Sequence, residues 1–315
     1  MGRRKKGQPV HGWVILDKPL GMGSTQAVAA VRRIFDARKA GHAGTLDPMA
    51  TGILAIALGE ATKTVPFAME AEKTYRFTAT WGEGRDSDDA EGRVTGTSDV
   101  RPSREAILAM LPRFTGVLSQ VPPAYSAVRV GGERAYDLAR DGETVTLEPR
   151  EIEVFEARLL NAVQDSAEFE ITCSKGTYVR SWVRDIAGAL GTLGHVSALR
   201  RTRLGAWEEK DAVTLETLTP FMHSPAAFGY LKPLATALDG IPALAVSGGD
   251  TVRIRSGNPI LIRSSLFARM KDGFGEGDLS GQTVYLKEED GSPVALAEIA
   301  GGELRPFRVF NFSSP

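Results

Sequence analysis

The chain has 315 residues, enough for one large domain or two of ordinary size. Apolar residues make up 42% and charged residues 24%, and Gly 34 with Pro 17 is too little for a collagenous or low-complexity chain. A single cysteine, Cys173, excludes an internal disulfide framework and a cysteine-rich zinc site, and the four histidines have no HExxH spacing, so no metal is expected.

Met1-Gly-Arg-Arg-Lys-Lys6 begins a basic arm over 1–10 that is expected to be disordered; no apolar segment follows it as in a signal peptide. Gly12-Trp-Val-Ile-Leu16 reads as a short buried strand ending in the turn Asp17-Lys-Pro-Leu-Gly21. Ser24 is placed as the N-cap of a helix with Ala27, Val28, Val31, Ile34 and Phe35 on one face. Arg38 to Asp47 is a Gly-rich loop, and Gly52 to Gly59 is a buried strand. Ile53 to Leu58, the longest apolar run, is far short of the ~20 residues of a membrane span, so no membrane association is expected.

Lys73 to Trp81 alternates, with Tyr75, Phe77, Ala79 and Trp81 on one face, as a half-buried strand does. An acidic loop runs from Gly82 to Gly92. A capped helix follows over Ser103 to Leu111, and Pro122-Pro-Ala-Tyr-Ser126 breaks the chain. Glu151 to Cys173 reads as two strands around Gln164-Asp-Ser166. Thr177 to Leu190 is a helix with Val179, Trp182, Val183, Ile186 and Leu190 inward. Beyond a Pro-rich connection, Thr251 to Ile262 and Gln282 to Phe310 read as short strands. Irregular mixing of strands and helices favours α+β over a βαβ fold.

Net charge is −1, but its distribution is uneven: Met1 to Lys63 carries +6, Lys175 to Gly205 carries +5 and Thr80 to Val100 carries −4. Two basic islands suit a polyanion on one face of a soluble protein. The glycines of Gly41-His-Ala-Gly-Thr-Leu-Asp-Pro-Met-Ala-Thr-Gly52 match neither GxxxxGK[ST] nor GxGxxG. Asp47-Pro48 has the composition of a helix start, Asp as N-cap and Pro at the first position. A carboxylate held there in a cleft could serve as nucleophile or base.

Gly41 to Gly59, followed by Glu60-Ala-Thr-Lys63, resembles the signature of the tRNA pseudouridine synthase B (TruB) family, bacterial type. Further blocks occur in the family's order: Asp17-Lys-Pro-Leu-Gly21 with Ser24, Lys73-Thr-Tyr-Arg-Phe77, Asp86-Ser-Asp-Asp-Ala-Glu-Gly92, Gln120-Val-Pro-Pro-Ala-Tyr-Ser-Ala127, Ser174-Lys-Gly-Thr-Tyr-Val-Arg180 and Leu199-Arg-Arg-Thr-Arg-Leu-Gly205. They span about residues 11 to 215. Ala43 and Trp207 depart from the common pattern without touching a charged position. The C-terminal part resembles, more loosely, a PUA-type RNA-binding domain.

The resemblance implies an α+β pseudouridine synthase fold with a large mixed, mostly antiparallel sheet over 11–244, and a small β-rich PUA-like domain over 245–315. It implies a cytoplasmic, monomeric isomerase that needs no cofactor and no protein partner and converts the uridine at position 55 in the T loop of tRNA to pseudouridine. It assigns His42 to the T-loop stack once the base has flipped, Asp47 to glycosidic cleavage, and Arg180 as its ion partner, expected to keep the Asp47 pKa low. Tyr75 would stack on the uracil and take part in deprotonating C5, with Tyr178 and Leu199 completing the pocket. Lys18, Lys63, Lys175, Arg200, Arg201 and Arg203 become phosphate contacts that position RNA without reading bases. An RNA-folding module, a guide-dependent synthase and a histidine-based hydrolase are the alternatives; no GxSxG motif supports the last.

Overall fold

The computed structural model describes residues 7–126, 128–140, 146–263, 266 and 279–312; the first six residues of the expected arm, and Ala127, lie outside these. Strand β1 (Gly12–Lys18) carries the Trp13–Leu16 run, buried on both faces. Helix α1 (Ser24–Ile34) buries Ala27, Val31 and Ile34 and turns Arg32 and Arg33 outward. Then come β2 (Ala40–His42), β3 (Ala50–Leu58), α2 (Val65–Glu70) and β4 (Lys73–Trp81). Strand β4 buries the alternating face Tyr75, Phe77, Ala79 and Trp81 that its pattern predicts.

The acidic loop sits between β5 (Glu83–Arg85) and β6 (Val94–Thr97), which pair. Helix α3 (Arg104–Met110) starts where the Ser103 hydroxyl accepts from the Ala106 amide at 3.2 Å. Next are β7 (Gly116–Gln120), β8 (Arg129–Val130), β9 (Glu133–Arg134), α4 (Ala135–Arg140), β10 (Arg150–Ala162), β11 (Ser166–Cys173), α5 (Val179–Ala189), β12 (Gly194–Leu204), β13 (Trp207–Glu208) and α6 (Leu215–Leu218). The C-terminal part contains β14 (Ala243–Ala245), α7 (Gly248–Arg255), β15 (Ile260–Leu261), β16 (Thr283–Lys287), β17 (Pro293–Ala300) and β18 (Glu303–Val309).

One nine-stranded sheet runs β1-β3-β12-β4-β11-β10-β7, with β2 and β13 attached. Its pairings are antiparallel except β12 against β3, so the sheet is mixed and mostly antiparallel. Strand β12 wedges between β3 and β4, which sets Leu199 between Ala50 and Phe77 and Arg201 between Gly52 and Tyr75. The wedge depends on Gly52: at φ +94° it occupies the left-handed region, and an added Cβ would collide with the Arg201 carbonyl oxygen.

One face of this sheet packs α1 and α5 into the larger core. Trp182 of α5 makes edge contacts with Phe169, Phe77 and Phe114 at centroid separations of 5.3, 5.5 and 5.8 Å. Such pairs stabilise by about 0.5–1.5 kcal/mol each beyond burial, and they hold the first turn of α5 against the sheet. The other face joins Trp13, Ile15, Ala55 and Trp207 to Tyr285 and Leu296 of the second sheet and to Phe310 just after β18. That sheet has the order β14-β16-β17-β18-β15.

Three local expectations are corrected. Thr251 to Ile262 is not a pair of strands: α7 occupies Gly248–Arg255, because Ser247 caps it and Thr251 and Ile254 are buried three residues apart on one helical face. Only Ile260–Leu261 is strand. The N-cap of α1 is Gly23, with Ser24 inside the helix. Asp47-Pro48 starts no helix: the Ala50 amide donates to the Asp47 carbonyl at 3.0 Å, and the chain passes directly into β3. Pro at the second position of a tight turn explains the dipeptide equally well.

Candidate active site

The loop before β3 presents Asp47 between two clamps. The Ser24 hydroxyl both donates to the Leu46 carbonyl and accepts from the Leu46 amide, each at 2.8 Å. Behind it, the Lys18 ammonium donates to the carbonyls of Met22 (2.6 Å), Pro19 (3.0 Å) and Pro48 (3.4 Å). The Gly21 amide also donates to the Pro48 carbonyl at 2.8 Å. Lys18 is fully buried, and desolvation brings its pKa down to about 8, opposed by the charge of Asp47.

Arg180 comes from the first turn of α5. Its Nε lies 2.9 Å from Asp47 Oδ2 and its Nη2 3.2 Å from Oδ1, a bidentate pair. The remaining donors are also placed: Nη2 to the Tyr125 carbonyl at 2.9 Å, Nη1 to the Ser87 carbonyl at 2.9 Å, and Nη1 3.5 Å from Asp89 Oδ2. The arginine side chain is 4% exposed and that of Asp47 32%, so the carboxylate reaches the surface while its partner does not. Burial pushes the Asp47 carboxyl above its ordinary value, with Arg180 and then Lys18 pulling the other way and Asp89 adding to the rise. The expected low pKa is therefore corrected: Arg180 acts in the expected direction, but desolvation outweighs it.

The acidic loop, which sequence reasoning left without a role, supplies much of this cradle. Asp89 is buried and accepts from the Ser87 hydroxyl at 2.6 Å and the Glu91 amide at 3.1 Å. Asp88 pairs with Arg184, one turn after Arg180 on α5, at 2.9 Å. Burial raises its carboxyl to about 6 against the pull of Arg184. The loop docks on the start of β12, where the Val196 amide donates to the Asp88 carbonyl and the Ala90 amide to the Val196 carbonyl. The excess of acids over bases in this loop was the available signal; its partner α5 lies some ninety residues away.

The wedge of β12 gathers the apolar wall. Leu199, Tyr75, Leu46 and Met49 share one core cluster. With strands ~4.8 Å apart, Tyr75 sits two strands, roughly 10 Å, from Gly52 of β3. Burial raises the Tyr75 phenol pKa; the Arg201 guanidinium opposes this by its charge and a hydrogen bond. Tyr178 is the N-cap residue of α5: its amide donates to the Gln120 side-chain oxygen at 2.9 Å, and its carbonyl accepts from the Gln120 side-chain amide nitrogen at 3.1 Å. His42 is half-buried on β2; burial and the nearby Arg201 lower its pKa, which leaves a neutral ring at pH 7.

The six expected phosphate contacts divide. Lys18 and Arg201 are corrected outright: both are buried, and Arg201, 1% exposed, donates to the carbonyls of Ile53 (2.7 Å) and Gly44 (3.1 Å). They are internal props of the site. Arg200 pairs with Asp17 (2.9 Å) and Glu209 (2.5 Å), Arg203 with Glu72 (3.0 Å), Lys175 with Glu70 (2.6 Å) and Lys63 with Glu60 (2.6 Å). Lys63 also donates to the Val309 carbonyl at 2.7 Å, tying the segment after β3 to the end of β18. Among the described residues no helix is long and apolar enough to cross a membrane.

The model of the TruB family pseudouridylate synthase N-terminal domain matches residues 32–179, and that of the tRNA pseudouridylate synthase B C-terminal domain matches 180–239. A protein of Bradyrhizobium diazoefficiens named tRNA pseudouridine synthase B is 53% identical over 98% of this chain and 88% of its own length. One of the same name from Caulobacter vibrioides is 50% identical over 99% of this chain and 100% of its own. In fold, the chain is similar to a chain of an archaeal box H/ACA sRNP Nop10-Cbf5 complex, with TM-score 0.72 at 22% identity over 100% of this chain and 95% of that one. A chain of an H/ACA RNP bound to a substrate RNA containing 2′-deoxyuridine also gives TM-score 0.72 at 22% identity, over 99% of this chain and 92% of that one. With half its residues shared along nearly the whole length of such relatives, the chain belongs to the TruB family of pseudouridylate synthases.

Proposed function

We propose that the chain isomerises uridine to pseudouridine at position 55 in the T loop of tRNA, acting alone and without a cofactor. The observation that carries this reading is the bidentate Asp47–Arg180 pair, with its carboxylate at the surface and its cation buried. The names of the full-length relatives supply the substrate class.

In the reaction the N1–C1′ bond of uridine breaks and a C5–C1′ bond forms; C5 gives up its proton and N1 gains one, so no atom is lost. The base leaves its stack at a cost of a few kcal/mol. The neutral ring of His42 fills the vacancy. Asp47 assists cleavage as a carboxylate; the charges of Arg180 and Lys18 favour its ionised form and oppose desolvation, which raises its pKa. Tyr75 stacks on the detached uracil, with Tyr178 and Leu199 closing the pocket. The aromatic and apolar positions lie on β4, β12 and the start of α5, rigid elements suited to holding a rotating base.

The test is pseudouridine mapping on an unmodified T stem-loop incubated with the purified chain. Isomerisation at position 55 without added protein or guide RNA is the expected result. No activity until a guide RNA complex is supplied would favour a guide-dependent enzyme, and release of free uracil would favour a hydrolase.

A further inference from the structure

Charge free to meet a phosphate lies in the first basic island rather than in the run around Arg200 that the resemblance marks for phosphate. The basic residues around Arg200 are neutralised by carboxylates or buried, as described above. A different run is not. Arg32, Arg33, Arg38 and Lys39 are all exposed, and among the described residues none has an ion-pair partner. Arg38 has a structural task, donating from Nε to the Gly7 carbonyl at 2.7 Å. The Gln8 amide bonds the Asp36 carbonyl at 2.6 Å, and the Arg38 amide bonds the Gln8 carbonyl at 3.0 Å. This turn is therefore pinned; the side chains of Arg32 and Arg33, in the last turn of α1 just before it, and of Lys39 just after it are exposed.

We propose that Arg32, Arg33 and Lys39 form a phosphate-contact surface for the RNA strand that flanks the flipped nucleotide. The surface has a fixed relation to the site: Lys39 immediately precedes β2, which carries His42. At ~3.3 Å per residue the Lys39 backbone lies about 10 Å from that of His42, and a lysine side chain extends the reach further. The helix dipole of α1 accounts for cations at Arg32 and Arg33, in its last turn. It does not account for Lys39, which lies beyond the helix. Unpaired cations held at a helix end and on the pinned turn after it are what counterion release by RNA phosphates requires. The inference rests on the RNA substrate proposed above and names where its backbone lies.

The experiment compares the full chain with the Arg32→Gln/Arg33→Gln/Lys39→Gln variant, measuring T stem-loop affinity against salt together with single-turnover isomerisation at saturating RNA. Loss of three contacts should reduce the slope of log Kd against log salt by about 2. Near 0.1 M salt the Kd should rise on the order of 10- to 100-fold. The two curves should converge at high salt, and the saturated rate should stay unchanged. A wild-type salt slope in the variant would overturn the proposal, as would a fall in the saturated rate without a change of slope. Lys39→Glu alone is the second variant and should steepen the loss; wild-type affinity there counts against the surface as well. If the unaltered chain binds the stem-loop but isomerises nothing, the functional reading fails while the salt slopes still judge the surface.

Discussion

Arg180→Ala probes the site most deeply, because the side chain has two separable duties. It neutralises Asp47 through two bonds of 2.9 and 3.2 Å, and it bridges the Ser87 and Tyr125 carbonyls and Asp89. Removing it leaves buried Asp89 without its cation, and breaking a buried pair in this way costs about 3–5 kcal/mol. A chemical denaturation curve should show that loss. Catalysis should suffer differently: loss of a preorganised charge lowers turnover on the order of 10²–10³-fold, with RNA affinity within a few-fold. The sign of the pH effect follows from the site. Desolvation already holds the Asp47 carboxyl above its ordinary range, and Arg180 is the largest opposing influence. Without it the carboxylate forms at still higher pH, so the acid limb of the single-turnover profile moves upward. Arg180→Lys, which keeps the charge but not the fork, should recover part of the limb and little of the stability. An acid limb identical in wild type and Arg180→Ala, with turnover retained, would refute the reasoning.

Other consequences follow from packing and titration. Gly52→Ala should cost at least about 1–3 kcal/mol through overpacking alone, with strain at positive φ added to it, since the new methyl meets the Arg201 carbonyl; an unchanged urea midpoint would contradict the wedge. Asp88 has its carboxyl raised to about 6 in the fold, so its contribution to stability is present at acid pH and fades as pH rises through 6. Wild type should therefore lose about 1 kcal/mol relative to Asp88→Asn between pH 5 and 7, and a difference independent of pH would exclude that environment. Phe310→Ala should destabilise the whole chain by about 3–5 kcal/mol, because Phe310 packs in the same cluster as Trp13 and Trp207; a melting curve in which only the C-terminal sheet loosens would contradict that shared core.

Elements whose burial follows one simple period were legible in the sequence. Strand β4, the β10–β11 hairpin, α3 with its Ser103 cap and α5 with Trp182 inward all form as their patterns predict. Features decided by partners far along the chain were not. Arg201 lies in a basic run that reads as surface, yet its charge is buried among the Ile53 and Gly44 carbonyls, acceptors that no sequence pattern marks. Lys18 is buried for the same reason. Asp47-Pro48 satisfies the composition of both a helix start and a tight turn, and the pull of β3 into the sheet chooses the turn. The acidic loop around Asp88 and Asp89 looks like solvated charge until α5 brings Arg180 and Arg184 to it, four residues apart on one helical face.

The most direct measurement is pseudouridine formation by Asp47→Asn on the T stem-loop, paired with its RNA affinity. Asparagine keeps the size of the side chain and can still accept from Arg180, but it carries no negative charge. The account requires binding within a few-fold of wild type and no detectable isomerisation. Turnover near the wild-type rate in a folded Asp47→Asn chain would contradict it.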